Sequence, residues 1–110
     1  MIPQISPENA LELIDSSTLF VDIRDPAAFS QAHIRNAVHL DNGSLPQFLA
    51  DVPLNTSLVV YCYHGHSSLG ATEFLLEQGF KDVTSLQGGF EFWRQRFPDT
   101  LTAPEPGNAE

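Results

Sequence analysis

Cys62 is the one thiol in this chain, and it stands where a thiol can react. The run that ends on it, Leu58-Val59-Val60-Tyr61-Cys62, is continuously apolar, the pattern of a strand covered on both faces. Tyr63, His64, Gly65, His66 and Ser67 are polar or glycine, and then Ala71, Phe74, Leu75 and Leu76 mark a helix that stops at Gly79. The thiol therefore sits at the base of a strand–loop–helix unit. A loop that enters a helix N-terminus aims several backbone N–H groups at one point, which makes an anion cradle. Such a cradle favours thiolate over thiol and predicts a Cys62 pKa below the free value of about 8.5. The same donors would hold the charge of a sulfur anion attached to Cys62. Gly65 allows backbone angles that a side chain forbids, and Ser67 and Ser68 add hydroxyls, one of which can cap the helix. An isolated cysteine is most often a core residue, but its place at a strand end before a polar loop favours a reactive one.

The elements that must position this loop alternate along the chain. Ser6-Pro7-Glu8 is a helix start, followed by Ala10, Leu11, Leu13 and Ile14 at helical spacing. Leu19 to Ile23 reads as a strand, and Asp25-Pro26 repeats the cap-and-proline signal for a short helix carrying Phe29. Val38-His39-Leu40 is a further strand closed by Asn42-Gly43, with Ser44 placed to cap a helix bearing Leu45, Phe48 and Leu49. Val83 to Leu86 is a strand, and Gly88-Gly89 leads into a last helix with Phe90, Phe92, Trp93 and Phe97. The economical architecture is α/β, an open parallel sheet with helices on both faces. Residues 1–98 read as one domain. Residues 99–110 contain Pro104, Pro106 and Gly107 but only Leu101 as a large apolar side chain, and are expected to form a disordered tail.

Charge and composition exclude several classes. Five basic against fourteen acidic residues give a net charge of −9, which argues against binding nucleic acid or anionic membranes. The apolar run at Leu58 to Cys62 falls far short of the roughly 20 residues of a membrane-spanning helix. The opening residues lack a basic stretch and an apolar core of the signal-peptide kind, and one cysteine allows no internal disulfide. A cytoplasmic location is expected.

Cys62-Tyr63-His64-Gly65-His66-Ser67-Ser68 resembles the active-site loop of the rhodanese family. Val21-Asp22-Ile23-Arg24-Asp25 resembles the family's first signature, with Phe29, His33-Ile34 and Ala37 at its expected spacing. Gly88-Gly89-Phe90-Glu91-Phe92-Trp93 resembles its last. Within the family the loop and chain length are most similar to the single-domain GlpE-type thiosulfate sulfurtransferases. The resemblance implies a rhodanese-like fold and a ping-pong reaction without a cofactor. Cys62 would take sulfane sulfur from thiosulfate as a persulfide and pass it to cyanide or to a dithiol such as reduced thioredoxin. Residues 63 to 68 would bind the substrate, and Arg24 would support the site wall. Two alternatives share the same loop: a non-enzymatic persulfide carrier or docking module, and a 3-mercaptopyruvate sulfurtransferase, whose loop is usually richer in glycine.

Phosphate chemistry fits poorly. Cysteine phosphatases place an arginine at the sixth position after the nucleophile for a bidentate grip on phosphate. That position is Ser68 here, and no arginine or lysine occurs between Cys62 and Lys81. His64 and His66 with Cys62 are too few for a metal site and are read as shaping the pocket. His33 and His39 are read as structural. Arg24 follows a strand and can reach its carboxyl edge; a salt bridge with Asp22, Asp25 or another acid is the favoured reading, and support of the site wall is compatible with it. Asp22, inside a strand, needs a partner for its charge.

Overall fold

The computed structural model describes residues 1–103. Strands β1 (Gln4–Ile5), β2 (Leu19–Asp22), β4 (Val38–His39), β5 (Ser57–Tyr61) and β6 (Asp82–Leu86) form one parallel sheet in the order β1-β6-β5-β2-β4. Two further strands, β3 (His33–Ile34) and β7 (Leu101–Thr102), pair antiparallel at the side. The helices are α1 (Pro7–Leu11), α2 (Pro26–Gln31), α3 (Leu45–Asp51), α4 (Ser67–Glu77) and α5 (Gly89–Arg96).

The expected architecture is present, helices on both faces included. Strand alternation divides the core. Phe20, Val59, Tyr61 and Leu86 face one way and pack with Ala10 of α1 and Phe90 and Trp93 of α5. Val21, Leu58, Val60 and Val83 face the other way, against Phe48 of α3 and Leu75 of α4. Burial on both faces is why β5 is apolar from Leu58 to Tyr61.

Local signals start several helices where the sequence places them. Ser6 Oγ accepts from the Asn9 amide at 3.1 Å, and Asp25 Oδ1 from the Ala28 amide at 2.9 Å. Gly79 ends α4 with a φ of 108°. Other boundaries shift. α1 ends at Leu11, and Leu13 and Ile14 lie in a turn that closes at Asp15 with a φ of 68°. Ser44 makes no side-chain cap bond; its amide donates instead to Asp41 Oδ1 at 3.0 Å.

The domain also runs past Pro98, where the sequence reading ends it. Pro98–Thr100 form a 3₁₀ turn, and β7 then pairs with β3. The Thr100 hydroxyl accepts from the indole of buried Trp93 at 2.8 Å, and its carbonyl from the Arg35 amide at 2.8 Å. Those partners order residues that their own composition leaves open. The rest of the expected tail, residues 104–110, lies outside the described residues.

From β2 the chain crosses to β4 on one side, and from β5 to β6 on the other. The connections diverge between the neighbours β2 and β5. Ligands in open α/β sheets sit beyond the carboxyl ends of strands at such a point. Ile23 to Asp25 and Cys62 to His66 flank it. Among the described residues no helix is long and apolar enough to cross a membrane.

Candidate active site

Cys62 follows directly on β5, and its side chain continues the alternation of Leu58 and Val60 toward α4. It is 5 % exposed. Three donors converge on its sulfur. The Gly65 amide lies at 3.2 Å, the Ser68 amide at 3.3 Å and the Ser68 hydroxyl at 3.3 Å. Burial pushes the thiol pKa up. The hydrogen bonds from the Ser68 hydroxyl and from the Ser68 and Gly65 amides lead the opposing effects, and the pKa ends below the ordinary thiol value. The sulfur opens on a cavity of about 140 Å³ lined by Tyr63, His64, His66 and Ser67.

The loop keeps its curl because the last helix holds its main chain. The Phe90 amide donates to the Cys62 carbonyl at 2.8 Å, and the Glu91 amide to the Tyr63 carbonyl at 3.0 Å. These N–H groups at the start of α5 lack partners inside their own helix, so the loop carbonyls satisfy them. The approach needs glycine. A Cβ on Gly89 would lie 2.5 Å from the Tyr63 carbonyl oxygen and 2.6 Å from the His64 nitrogen. Gly65, with a φ of 93°, packs in turn over the Gly88 nitrogen.

Arg24 stands on the opposite face. It continues the alternation of Phe20 and Asp22 in β2, and so turns toward α5 rather than α4. Its guanidinium lies 3.9 Å from the Phe90 ring centroid. Nε and Nη2 hold Asp22 at 2.7 to 3.1 Å, and Nη2 also reaches the Ala32 carbonyl at 2.6 Å. The salt bridge with Asp22 is therefore present, and buried Asp22 has its partner. Arg24 lines a separate cavity of about 460 Å³ with Asp25, Gln31, Tyr63, Phe90 and Arg94, among others. Tyr63 borders both cavities. Its hydroxyl bonds Asp25, which holds the Asp25 carboxyl below its ordinary pKa and the Tyr63 phenol above its own.

A family model described as a rhodanese-like domain matches residues 6–96. The chain belongs to the rhodanese family. A Stutzerimonas stutzeri protein named thiosulfate sulfurtransferase GlpE is 47% identical to this rhodanese over 102 residues, 93% of this chain and 94% of its own. A protein of the same name from Pseudomonas fluorescens is 50% identical over 95 residues, 86% of this chain and 87% of its own. In fold, the domain resembles the solution structure of a rhodanese-like domain from Anabaena, with a TM-score of 0.83 at 19% identity over 94% of this chain and 81% of that one.

The sequence-predicted loop thus comes together in this rhodanese as one site, with its parts differently used. Ser68 spends its hydroxyl on Cys62 rather than capping α4, whose N-cap is His66 without a side-chain bond. His64, His66 and Ser67 are exposed at the mouth. Among the described residues no cluster of metal-ligating side chains is present. His33 Nδ1 bonds the Phe29 carbonyl at 2.8 Å, and His39 Nε2 the Arg24 carbonyl at 2.5 Å, both structural as expected. Trp93 is fully buried in the core. Two contributions escaped the sequence reading: the clamp formed by Gly88-Gly89 and α5, and Ser85 beneath Ser68. The glycine pair was a visible signal, since paired glycines before a helix invite close backbone approach. Ser85 gave none.

Proposed function

We propose that the protein is a thiosulfate sulfurtransferase with Cys62 as nucleophile and sulfur carrier. The observation that carries this reading is the convergence of two amides and a hydroxyl on one nearly buried sulfur. In the first half-reaction the Cys62 thiolate attacks the outer sulfur of thiosulfate. A Cys62–sulfur bond forms, the sulfur–sulfur bond of thiosulfate breaks, and sulfite leaves with the electron pair. The persulfide left behind carries one negative charge, within reach of the loop amides of residues 63 to 68. In the second half-reaction an acceptor thiolate attacks the terminal sulfur, and Cys62 leaves as the thiolate that started the cycle. Cyanide serves the same step in an assay.

The relatives named thiosulfate sulfurtransferase, similar over most of their length, support the donor. With one cysteine in the chain there is no resolving thiol, so the acceptor comes from outside; a protein dithiol such as reduced thioredoxin fits that need. A lone functional thiol suits a reducing compartment such as the cytoplasm. On this reading Arg24 acts indirectly: held by Asp22, its guanidinium lies 5.7 Å from the Tyr63 ring centroid and backs that wall of the site.

Intact mass before and after thiosulfate, and again after cyanide, tests the cycle. The protein should gain about one sulfur atom and lose it to cyanide, and Cys62→Ser should gain nothing. A wild-type protein that gains no mass from thiosulfate refutes the donor. A Cys62→Ser protein that gains it refutes the nucleophile.

A further inference from the structure

The Ser68 hydroxyl can steady a thiolate only if its single proton points at the sulfur. A serine hydroxyl rotates freely and carries two acceptor lone pairs, so something must fix its direction. The structure supplies one candidate. Ser85 Oγ lies 2.7 Å from Ser68 Oγ, and both side chains are fully buried. Ser85 shares the strand parity of Val83 in β6, which places it beneath the start of α4. Among the described residues Ser68 Oγ has two side-chain partners, Cys62 and Ser85. With its own proton on the sulfur, Ser68 can only accept from Ser85. The pair then forms a directed chain, Ser85 O–H to Ser68 Oγ, and Ser68 O–H to Cys62 Sγ.

We propose that Ser85 is a positioning residue for Cys62, its hydroxyl donating to Ser68 Oγ and thereby aiming the Ser68 hydroxyl at the sulfur. It touches neither substrate nor sulfur. The proposal rests on Cys62 working as a thiolate, but its readout does not involve sulfur transfer. The ionisable side chains lining the Cys62 cavity are Tyr63, His64 and His66. What β6 and α4 bring to the buried side is the hydroxyls of Ser85 and Ser68.

The same helix carries a built-in control. Thr72, one turn beyond Ser68 on α4, is fully buried too, and its hydroxyl has no hydrogen-bond partner among the described residues. If buried hydroxyls acted merely by filling the space under the loop, Thr72 and Ser85 would matter alike.

Titration of Cys62, followed by thiolate ultraviolet absorbance and by the rate of alkylation with iodoacetamide, decides the question. Cys62 is the one thiol, and both tyrosines ionise above their ordinary range, so the signal belongs to it. Cooperative strengthening of about 10–30% in a charge-assisted bond predicts that Ser85→Ala lowers the thiolate fraction below the midpoint by roughly 1.3- to 5-fold. Thr72→Val should leave the titration unchanged. In a Ser68→Ala background, Ser85→Ala should add nothing, because the link it acts through is gone. A wild-type titration in Ser85→Ala overturns the proposal. So does an equal effect with and without Ser68, or a matching shift in Thr72→Val. Should Ser85→Ala fail to fold, the wild-type protein gives the answer by proton NMR. The Ser68 and Ser85 hydroxyl protons should both shift as Cys62 titrates, and a Ser85 proton that stays put overturns the proposal. Loss of thiosulfate turnover with these titrations intact would count against the proposed function alone.

Discussion

Replacing Ser68 with alanine removes one of three donors on the Cys62 sulfur and leaves the amides of residues 65 and 68 in place. The lost contact is a hydroxyl at 3.3 Å from a sulfur that is only 5 % exposed, so water does not simply replace it. A hydrogen bond to a charged acceptor contributes about 1.5–3 kcal/mol. Without it, burial opposes ionisation with less resistance, and the Cys62 pKa moves up toward the ordinary thiol value. At a pH below the midpoint of both proteins, the thiolate fraction falls by roughly 10- to 100-fold, since about 1.4 kcal/mol is tenfold. The remaining thiolate is more basic and a better nucleophile, with a Brønsted slope of about 0.4–0.5. The two effects together predict alkylation by iodoacetamide roughly 3- to 16-fold slower than wild type below both midpoints, with the order reversing at high pH, where both are ionised and the more basic thiolate reacts faster. Rates across the pH range on both proteins check this. An alkylation profile that coincides with wild type, or one displaced to lower pH, refutes the assignment of Ser68 as a donor to the thiolate.

Gly89→Ala should be the most damaging single-methyl change near the site. The new Cβ meets main chain at 2.5 Å, so the loop must move, and a displacement of about 1 Å at a reacting group costs on the order of 10²-fold in rate. Cyanide-assay kcat/KM together with a melting curve separates this from unfolding, and near-normal turnover would sink the clamp. Ending the chain after Pro98 strips the partner from the buried Trp93 indole and from the Arg35 amide, which should cost about 1–3 kcal/mol for the indole alone. Ending it after Ala103 keeps both contacts, and equal melting temperatures for the two chains would show that β7 contributes nothing. Thiosulfate is a dianion, the protein carries −9, and neither arginine nor lysine lines the Cys62 cavity. Inert salt should therefore lower its KM by screening the repulsion, and a KM that climbs steadily with salt would contradict this.

The layout of the fold was legible because its signals are local. Ser6, Asp25 and Gly79 mark helix ends through their own chemistry, and β5 declares its double burial by composition. The strands β1, β3 and β7 were not legible. Each has two residues and exists because a partner strand offers hydrogen bonds, and none is closed, as the equally short β4 is, by a turn pair such as Asn42-Gly43. In the sequence Ser68 reads as a possible cap because a serine before a helix usually serves the helix; only a sulfur brought to 3.3 Å makes the other use visible. Arg24 shows a different failure. Parity along β2 from Phe20 through Asp22 assigns it to the α5 face, but that inference needs to know which helix covers which face. Ser85 depended on the pairing of β5 with β6 and on the seat of α4, neither of which a single serine can signal.

The clamp from α5 acts on carbonyls and amides, not on side chains. Tyr63, His64, His66 and Ser67 can therefore be exchanged without loosening the frame that curls around the sulfur, whereas Gly65 and Gly89 cannot. On the proposed function, the site separates the part that would make a thiolate from the part that would meet its donor and acceptor. Exchanges at the exposed rim, 63, 64, 66 and 67, are the ones that would retune which sulfur compounds enter while the nucleophile stays as it is.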